Sequence, residues 1–168
     1  MSTDRSSWRF RSEDALTEAA REVAVRWRAA GLGSLVVALS GDLGSGKTTW
    51  VRAMLRGLGF AGRVPSPTYT LVEQYPLDGL TLVHLDLYRL ADDAELDHLG
   101  IRDWLDAPGV WLLVEWPERA PALQSLADLG LEFDVIDATS RRVRLSPRSA
   151  SGHAAVAALA DLDSRYGS

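Results

Sequence analysis

The alternation of apolar and polar residues predicts an amphipathic helix near the start of the chain. Apolar side chains recur at the three- and four-residue spacing of one helical face, at Leu16, Ala19, Ala20, Val23 and Trp27. Ser12 precedes this stripe and is suited to cap the helix, while Glu13 and Asp14 place negative charge in its first turn. Gly31 is expected to end the helix.

A buried strand, a glycine-rich loop and a second helix are predicted next. Residues 35–39 are all apolar, which is typical of a strand covered on both faces. Residues 49–58 carry apolar side chains at positions 51, 54, 55 and 58, which is helical spacing, and Gly59 is placed to end that helix. The connection between them, residues 40–48, contains three glycines.

The remaining pattern predicts five more strands and two more helices. The strands are residues 68–75, 80–88, 110–114, 131–136 and 142–145, and the helices are residues 92–106 and 153–162. Asp78-Gly79 predicts a tight turn between the first two of these strands. Leu96, Leu99 and Leu105 are expected to face inward. Strands that alternate with helices predict an α/β fold in three layers, with a mixed, mostly parallel central sheet flanked by helices.

Composition narrows the class of protein. The 168 residues are 46% hydrophobic and 24% charged, which suits a single globular domain over residues 1–168. The absence of cysteine excludes disulfides and thiolate chemistry, and three histidines make a structural zinc site unexpected. A net charge of −5 argues against non-specific binding of nucleic acid. Neither a membrane span nor a signal peptide is visible, so we expect a cytoplasmic protein with no membrane partner.

The loop at residues 41–48 (GDLGSGKT) matches G-x-x-x-x-G-K-[ST], the phosphate-binding P-loop. Its Lys47 is the only lysine in a chain with seventeen arginines. A compact ammonium reaches between phosphates where a planar guanidinium is too wide, so retention of lysine here indicates a working nucleotide site. The flanking strand and helix are the context that the motif requires, and they predict the P-loop NTPase fold.

Within this motif each position has an expected role toward a nucleoside triphosphate. The backbone N–H groups of residues 43–49 are expected to point at phosphate oxygens. The residues expected to contact the cofactor are Leu43, Gly44, Ser45, Gly46, Lys47, Thr48 and Thr49. Lys47 neutralises charge between the phosphates, and Thr48 offers its hydroxyl to Mg²⁺.

Two carboxylates follow buried strands and are candidates for metal binding and hydrolysis. Asp86 ends the run at residues 82–85, which is apolar except for His84, and Glu115 ends an apolar run at residues 110–114. The alternative for each is a strand-end acid that faces solvent. Burying such an acid without a partner is costly, which favours a role in the site. We expect Asp86 to be a metal-side ligand and Glu115 to hold Mg²⁺ through water or orient the attacking water. Which of the two is the main hydrolytic acid stays open.

Thr68 and His84 have two interpretations each. Thr68 lies in residues 66–70 (SPTYT), downstream of the P-loop helix, where it could sense γ-phosphate and metal. The alternative is a proline-stiffened strand entry with satisfied hydroxyls. His84 alternates with Asp86 along a predicted strand, so both face one side. It could be a proton relay or a packed structural histidine.

Three further features are open in the same way. Arg89 could touch phosphate or pair with an acid at position 92, 93 or 95, and the salt bridge is favoured. Trp116 is either core packing or an aromatic wall near the nucleotide. The arginines at positions 141, 142, 144 and 148 could place tRNA or a partner, but a solvated strand face is favoured.

Four separated motifs together resemble the bacterial TsaE family, also called YjeE. They are residues 41–49 (GDLGSGKTT), 66–72 (SPTYTLV), 84–90 (HLDLYRL) and 113–117 (LVEWP), and the similarity extends over about residues 12–145. The resemblance implies a weak P-loop ATPase that supports N6-threonylcarbamoyladenosine formation at position 37 of tRNA. It also implies binding to a heterodimer of TsaB and TsaD, which performs the transfer, so that tRNA is reached indirectly through that complex.

Carried over by motif, the resemblance implies that Lys47 and Thr48 bind phosphate and Mg²⁺. It implies that Asp86 and Glu115 serve metal and hydrolysis and that Thr68 lies in a switch-like loop. The preference for ATP over GTP rests on the resemblance alone. Two other classes compete: a small-molecule kinase, for which the segment after Glu115 offers little beyond Arg119, and a nucleotide-gated binding module, which needs no hydrolytic carboxylate.

Overall fold

A computed structural model of the chain describes residues 5–168, so residues 1–4 of the predicted domain lie outside the described range. Its strands are β1 (Ser6–Phe10), β2 (Leu35–Gly41), β3 (Val72–Leu77), β4 (Leu80–Asp86), β5 (Val110–Glu115), β6 (Leu129–Val135) and β7 (Arg141–Pro147). Its helices are α1 (Glu13–Ala29), α2 (Lys47–Gly57), α3 (Ala94–His98), α4 (Ile101–Asp106), α5 (Pro121–Gln124), α6 (Ala150–Ala157) and α7 (Ala160–Tyr166). A short 3₁₀ helix covers Pro117–Arg119.

The seven strands form one sheet in the order β1-β7-β6-β2-β5-β4-β3. The four central strands, β6, β2, β5 and β4, run parallel. The outer strands β7, β1 and β3 pair antiparallel. The predicted mixed sheet is therefore confirmed, with its parallel part confined to the middle. Parallel strands place their carboxyl ends at one edge of the sheet, which brings the ends of β2, β4 and β5 together.

Helices cover both faces of this sheet. Along β5, Trp111 and Leu113 face one hydrophobic cluster, whereas Leu112 and Val114 face the other, as expected for a strand with two-residue periodicity. The first cluster is completed by α1, α2, α6 and α7. The second is completed by the shorter α3, α4 and α5. Both faces of the central strands are thus buried, which accounts for their continuous apolar runs.

The first predicted helix is confirmed as α1. The Ser12 hydroxyl accepts a hydrogen bond from the Ala15 N–H at 3.1 Å, which satisfies one of the unpaired donors at the helix start. All five residues of the predicted apolar stripe are buried. The helix ends at Ala29, and Gly31 follows with a φ of 67°, the left-handed conformation that glycine adopts readily.

Two predicted strands are shorter than expected, because one begins later and the other ends earlier than the sequence pattern predicted. Residues 68–71 form a turn rather than strand, because the Leu71 N–H bonds to Pro67 O at 2.7 Å and Leu71 has a φ of 65°. Strand β3 therefore begins at Val72. Strand β4 ends at Asp86 rather than at residue 88, and the chain then turns, with the Leu90 N–H bonded to Leu87 O.

The helix predicted over residues 92–106 is two helices. Gly100, with a φ of 75°, separates α3 from α4, because a residue in the left-handed conformation interrupts the helical hydrogen bonds. Leu96 is buried, while Leu99 and Leu105 are half-buried. The single terminal helix predicted over residues 153–162 is likewise divided into α6 and α7.

Strand β1 is an element that the sequence interpretation missed. Its Trp8 and Phe10 are buried, while Arg9 is exposed, and the strand pairs with β7 at the edge of the sheet. Alternation over five residues was the available signal, but it is short and lies in a segment rich in charge. The structure places this strand directly before the start of α1.

Candidate functional site

The P-loop motif lies between β2 and α2, and its backbone requires glycine. Gly41, Gly44 and Gly46 have φ values of 143°, 76° and 108°. A Cβ at Gly41 would lie 2.5 Å from Phe133 O, which no side chain tolerates without movement. Within residues 5–168, no side chain caps the start of α2, so the first N–H groups of the helix remain available for an anion.

Lys47 is held inside this loop. Its Nζ donates a hydrogen bond to Gly41 O and another to Asp42 O at 3.0 Å. It also lies 4.3 Å from the ring centroid of Trp116, within range of a cation–π interaction. Burial lowers the pKa of the ammonium, and the nearby carboxylates, Glu115 first, oppose that effect. The loop therefore contains a desolvated cation, which interacts strongly with an anionic ligand.

The two candidate carboxylates are direct neighbours. Asp86 and Glu115 are register partners at the ends of β4 and β5. The Thr48 hydroxyl lies 3.0 Å from each carboxylate oxygen of Glu115, so it joins the start of α2 to the end of β5. Asp86 accepts hydrogen bonds from the Tyr88 N–H at 3.0 Å and from the Thr68 hydroxyl at 3.4 Å.

Asp86 is placed where ionisation is opposed. Burial raises the pKa of its carboxyl group, the Tyr88 N–H lowers that pKa, and the negative charge of Glu115 raises it again. A bound cation would reverse this balance, because it stabilises the ionised form. The location of Asp86 therefore suits a carboxylate that binds a cation. Without a bound cation, the ionised Asp86 lowers the stability of the fold.

These residues surround one cavity of about 480 Å³. Its walls include every residue that the sequence assigned to the cofactor, the metal or catalysis: Leu43, Gly44, Ser45, Gly46, Lys47, Thr48, Thr49, Thr68, Asp86 and Glu115. The sequence thus identified residues that line one cavity from motifs that are widely separated along the chain. The role of each residue remains a prediction.

The loop at residues 66–71 forms one side of the cavity. Its Thr68 hydroxyl donates a hydrogen bond to Asp86 at 3.4 Å, and Ser66 shares a hydrogen bond of 2.8 Å with Thr68. The favoured salt bridge of Arg89 is wrong: its guanidinium carbon lies 4.6 Å from the ring centroid of Tyr69, and no acid of the described residues pairs with it. The stacking explains the choice of arginine, whose flat group matches an aromatic face.

Trp116 lines the cavity and also packs against the second hydrophobic cluster. Its φ of 57° is in the left-handed region, which is strained for a bulky residue and often marks a functional position. This backbone turns the ring toward Lys47 and places it 5.1 Å from the ring of Tyr88. Its position agrees with an aromatic wall of the cavity.

The arginine-rich stretch divides into two parts. Arg144 pairs with Glu132 at 2.7 Å and Asp134 at 2.9 Å on neighbouring β6, which is an ordinary solvated strand face. Arg141 instead reaches the P-loop motif, donating to Gly44 O at 3.2 Å and to Ser140 O at 3.0 Å. It thereby ties the turn between β6 and β7 to the loop and lines the cavity.

The structure adds residues to the cavity that the sequence interpretation did not assign. Beyond those already named, they include Ser12, Glu13, Leu16, Ala138 and Thr139. They come from the start of α1, with its cap Ser12, and from the β6–β7 turn, which flank the P-loop motif only in the folded sheet. No local motif marks them, so only the strand order could have revealed them.

The residues present fit a magnesium ion that is held together with a phosphate ligand. Across residues 5–168, no group of three or more His, Cys, Asp or Glu side chains is arranged to hold a metal. Two carboxylates, Asp86 and Glu115, and the Thr48 hydroxyl nevertheless meet at the cavity. Such oxygen donors suit Mg²⁺, which usually takes one or two carboxylates and completes its shell with water and phosphate oxygens.

The fold and site define an α/β protein with a P-loop motif and two acidic side chains at the carboxyl edge of its parallel strands. The sequence model of the family described as "Threonylcarbamoyl adenosine biosynthesis protein TsaE" matches residues 10–143. The chain therefore belongs to the TsaE family, as its four motifs indicated.

Individual relatives agree with this assignment. The tRNA threonylcarbamoyladenosine biosynthesis protein TsaE of Haemophilus influenzae is 41% identical over 128 residues, covering 76% of this chain and 80% of that protein. The protein of the same name from Aquifex aeolicus is 39% identical over 115 residues, covering 67% and 77%. The crystal structure of Bacillus subtilis YdiB superposes with a TM-score of 0.75 over 95% of this chain and 97% of that one, at 23% identity, and shows the same fold.

Proposed function

We propose that this chain binds ATP with Mg²⁺ in the cavity and hydrolyses it weakly by itself, in support of N6-threonylcarbamoyladenosine formation at position 37 of tRNA. The observation that carries the proposal is the convergence of Lys47, Thr48, Asp86 and Glu115 on one cavity next to a glycine-rich loop. The family and the names of its relatives support the link to tRNA modification.

The P-loop residues bind and orient the triphosphate. The backbone N–H groups of residues 43–49 hold phosphate oxygens, and the start of α2 adds its positive end. Lys47 exchanges its present bonds to loop carbonyls for contacts to the phosphates. When bound, Mg²⁺ would neutralise part of the phosphate charge. Thr48 and Asp86 are the residues that would hold the ion.

Glu115 is proposed to orient the water that attacks the terminal phosphate, or to hold Mg²⁺ through water. Its carboxylate lies beside Thr48 at the end of β5 and is only 3% exposed, so its orientation is restricted. Thr68 is proposed to respond to the bound state, because it bonds to Asp86 from the loop at residues 66–71, next to Pro67. Both assignments follow from where the side chains lie around the cavity.

The chain is proposed to act through a heterodimer of TsaB and TsaD, which performs the transfer to tRNA. Its net charge of −5 supports indirect contact with tRNA, since a tight non-specific binder of nucleic acid is ordinarily basic. Within residues 5–168 the structure contains no helix that is both long and apolar enough to cross a bilayer. A cytoplasmic location is part of this proposal.

Separate measurements of ATP binding and hydrolysis test the assignment of the site. Lys47→Ala should weaken ATP affinity by about 100-fold, since loss of charge-assisted hydrogen bonds costs roughly 3 kcal/mol. Glu115→Ala should retain Mg²⁺-dependent binding and lose hydrolysis. Arg102→Ala, an exposed position on α4, is the matched control and should change neither.

Three outcomes would contradict the assignment. Unchanged affinity in Lys47→Ala would show that ATP does not bind at this loop. Normal turnover in Glu115→Ala would move the hydrolytic role to Asp86. Consumption of ATP only when a hydroxylated metabolite is added would indicate a small-molecule kinase.

A further inference from the structure

His84 is a fully buried histidine in the middle of β4. It has no solvent exposure, whereas the other two histidines, His98 and His153, are exposed. Its register partner on β5 is Leu113, and its neighbours along β4 are Val83 and Leu85, so an apolar side chain would suit the strand better. A polar ring in such a place needs a hydrogen-bonding partner to offset its desolvation.

That partner is Glu115. The His84 Nε2 lies 2.5 Å from Glu115 Oε2, a short contact between two side chains that are both buried. Glu115 thus has two anchors, the Thr48 hydroxyl on α2 and the His84 ring on β4. Thr48 is also proposed to bind Mg²⁺, so its hydroxyl cannot serve only to hold Glu115. Among residues 5–168, the His84 ring has no hydrogen-bond partner other than Glu115.

The hydrogen-bond contacts of the His84 ring indicate which of its two nitrogens carries the proton. An ionised carboxylate only accepts hydrogen bonds, so Nε2 must donate to Glu115. Nδ1 is buried and has no hydrogen-bond partner among residues 5–168. An unpaired lone pair is less costly there than an unpaired N–H, because a buried donor without an acceptor retains its full desolvation penalty. A neutral ring with its proton on Nε2 donates to Glu115 and leaves no unpaired N–H at Nδ1.

We infer that His84 is a positioning residue, which donates a hydrogen bond from Nε2 to Oε2 of Glu115 and so fixes the direction of that carboxylate in the cavity. This inference rests on the proposed hydrolytic role of Glu115. It replaces the proton-relay interpretation, because Nδ1 has no hydrogen-bond partner among residues 5–168 that could take up a proton. It also separates His84 from simple packing, which would not require a particular nitrogen to donate.

Two substitutions at position 84 distinguish these roles kinetically. His84→Gln keeps an N–H donor near the position of Nε2, whereas His84→Leu fills similar space without a donor. We expect His84→Leu to lower kcat for ATP hydrolysis by about 10- to 100-fold with little change in KM, as loss of an orienting partner typically does. His84→Gln should recover most of that loss. His98→Leu is the matched control, with wild-type kinetics.

Nitrogen-15 NMR of the full chain, labelled at histidine, tests the contact without any turnover. The single buried ring should show a protonated Nε2 and an unprotonated Nδ1, and Glu115→Gln should shift the Nε2 proton signal. A protonated Nδ1, or a signal that ignores Glu115→Gln, would overturn the inference. So would equal impairment of the Leu and Gln variants when both fold, or wild-type kcat in His84→Leu. If the wild type shows the expected ring signals but never hydrolyses ATP, the proposed function fails while the contact stands.

Discussion

Asp86 is a buried carboxyl group whose environment opposes its charge. Burial raises its pKa, so the folded protein favours the protonated form more than the unfolded chain does. A group with a raised folded-state pKa contributes stability at low pH, and that contribution is lost as the pH rises through the raised value. At neutral pH the ionised Asp86 therefore lowers the free energy of unfolding.

Asp86→Asn should raise the thermal unfolding temperature at neutral pH, measured without added nucleotide. The amide oxygen of asparagine can still accept the hydrogen bond from the Tyr88 N–H, so the turn after β4 is retained. The gain should disappear below the ordinary aspartate pKa of 3.8, where the wild-type group is protonated in both states. The same variant should weaken Mg²⁺-dependent ATP affinity. A lower unfolding temperature at neutral pH would show that the charge of Asp86 is stabilised by its surroundings.

Single residues of the site were largely predictable, but their partners were not. The P-loop motif and the acid after each buried strand picked out Lys47, Thr48, Asp86 and Glu115, and the structure places all four at one cavity, while their roles stay predictions. The contact between His84 and Glu115 depends on the side-by-side register of β4 and β5, which no spacing in the chain reveals. The stacking of Arg89 on Tyr69 was missed because it joins two loops, and no spacing in the chain reveals that contact either.

At the scale of elements, the P-loop motif leaves the sheet at Gly41, the last residue of β2, whose register partner on β6 is Phe133. Gly41→Ala would place a Cβ 2.5 Å from Phe133 O at a backbone with a φ of 143°. We expect a loss of about 1–3 kcal/mol of stability, as for other overpacked sites, together with weaker ATP binding. Gly33→Ala, where a Cβ meets no atom within 4 Å, is the matched control and should be nearly neutral in chemical denaturation. Equal stability of the two variants would contradict this packing.

Helix α6 is tied to the sheet through its cap. Ser149 accepts a hydrogen bond from the Gly152 N–H at 3.1 Å and donates one to Asp128 at 2.6 Å, while Asp128 also accepts the Val36 N–H of β2 at 2.8 Å. Ser149→Ala should reduce the free energy of unfolding by about 1–2 kcal/mol, the range for loss of a serine cap. Ser151→Ala, an exposed position of the same helix, should change stability little. Equal effects of the two substitutions would exclude a capping role.

Element types followed from periodicity, whereas their ends depended on single backbone conformations. The stripe from Leu16 to Trp27 predicted α1 because its apolar face is long and regular. The segment at residues 92–106 has helical composition throughout, yet the left-handed Gly100 divides it. Leu71 shortens β3 in the same way, although leucine rarely adopts a positive φ and its sequence therefore carries no signal.

At the scale of the whole molecule, the strand order determines which segments meet. The α/β class and the mixed sheet were predictable from alternating strands and helices. The insertion of β2 between β5 and β6 was not, and it is this order that brings the β6–β7 turn and Arg141 beside the P-loop motif. Long-range pairing of this kind is selected by the packing of complete faces, which local patterns do not encode.

The measurement that tests the central claim most directly is Mg²⁺-dependent ATP hydrolysis by the full chain, alone and then with TsaB, TsaD and tRNA. We predict weak hydrolysis by the chain alone and a clearly higher rate of hydrolysis when TsaB, TsaD and tRNA are all present. Both activities should be lost in Lys47→Ala. Hydrolysis that the partners leave unchanged, or that persists in Lys47→Ala, would contradict the proposal that this cavity drives an accessory ATPase of tRNA modification.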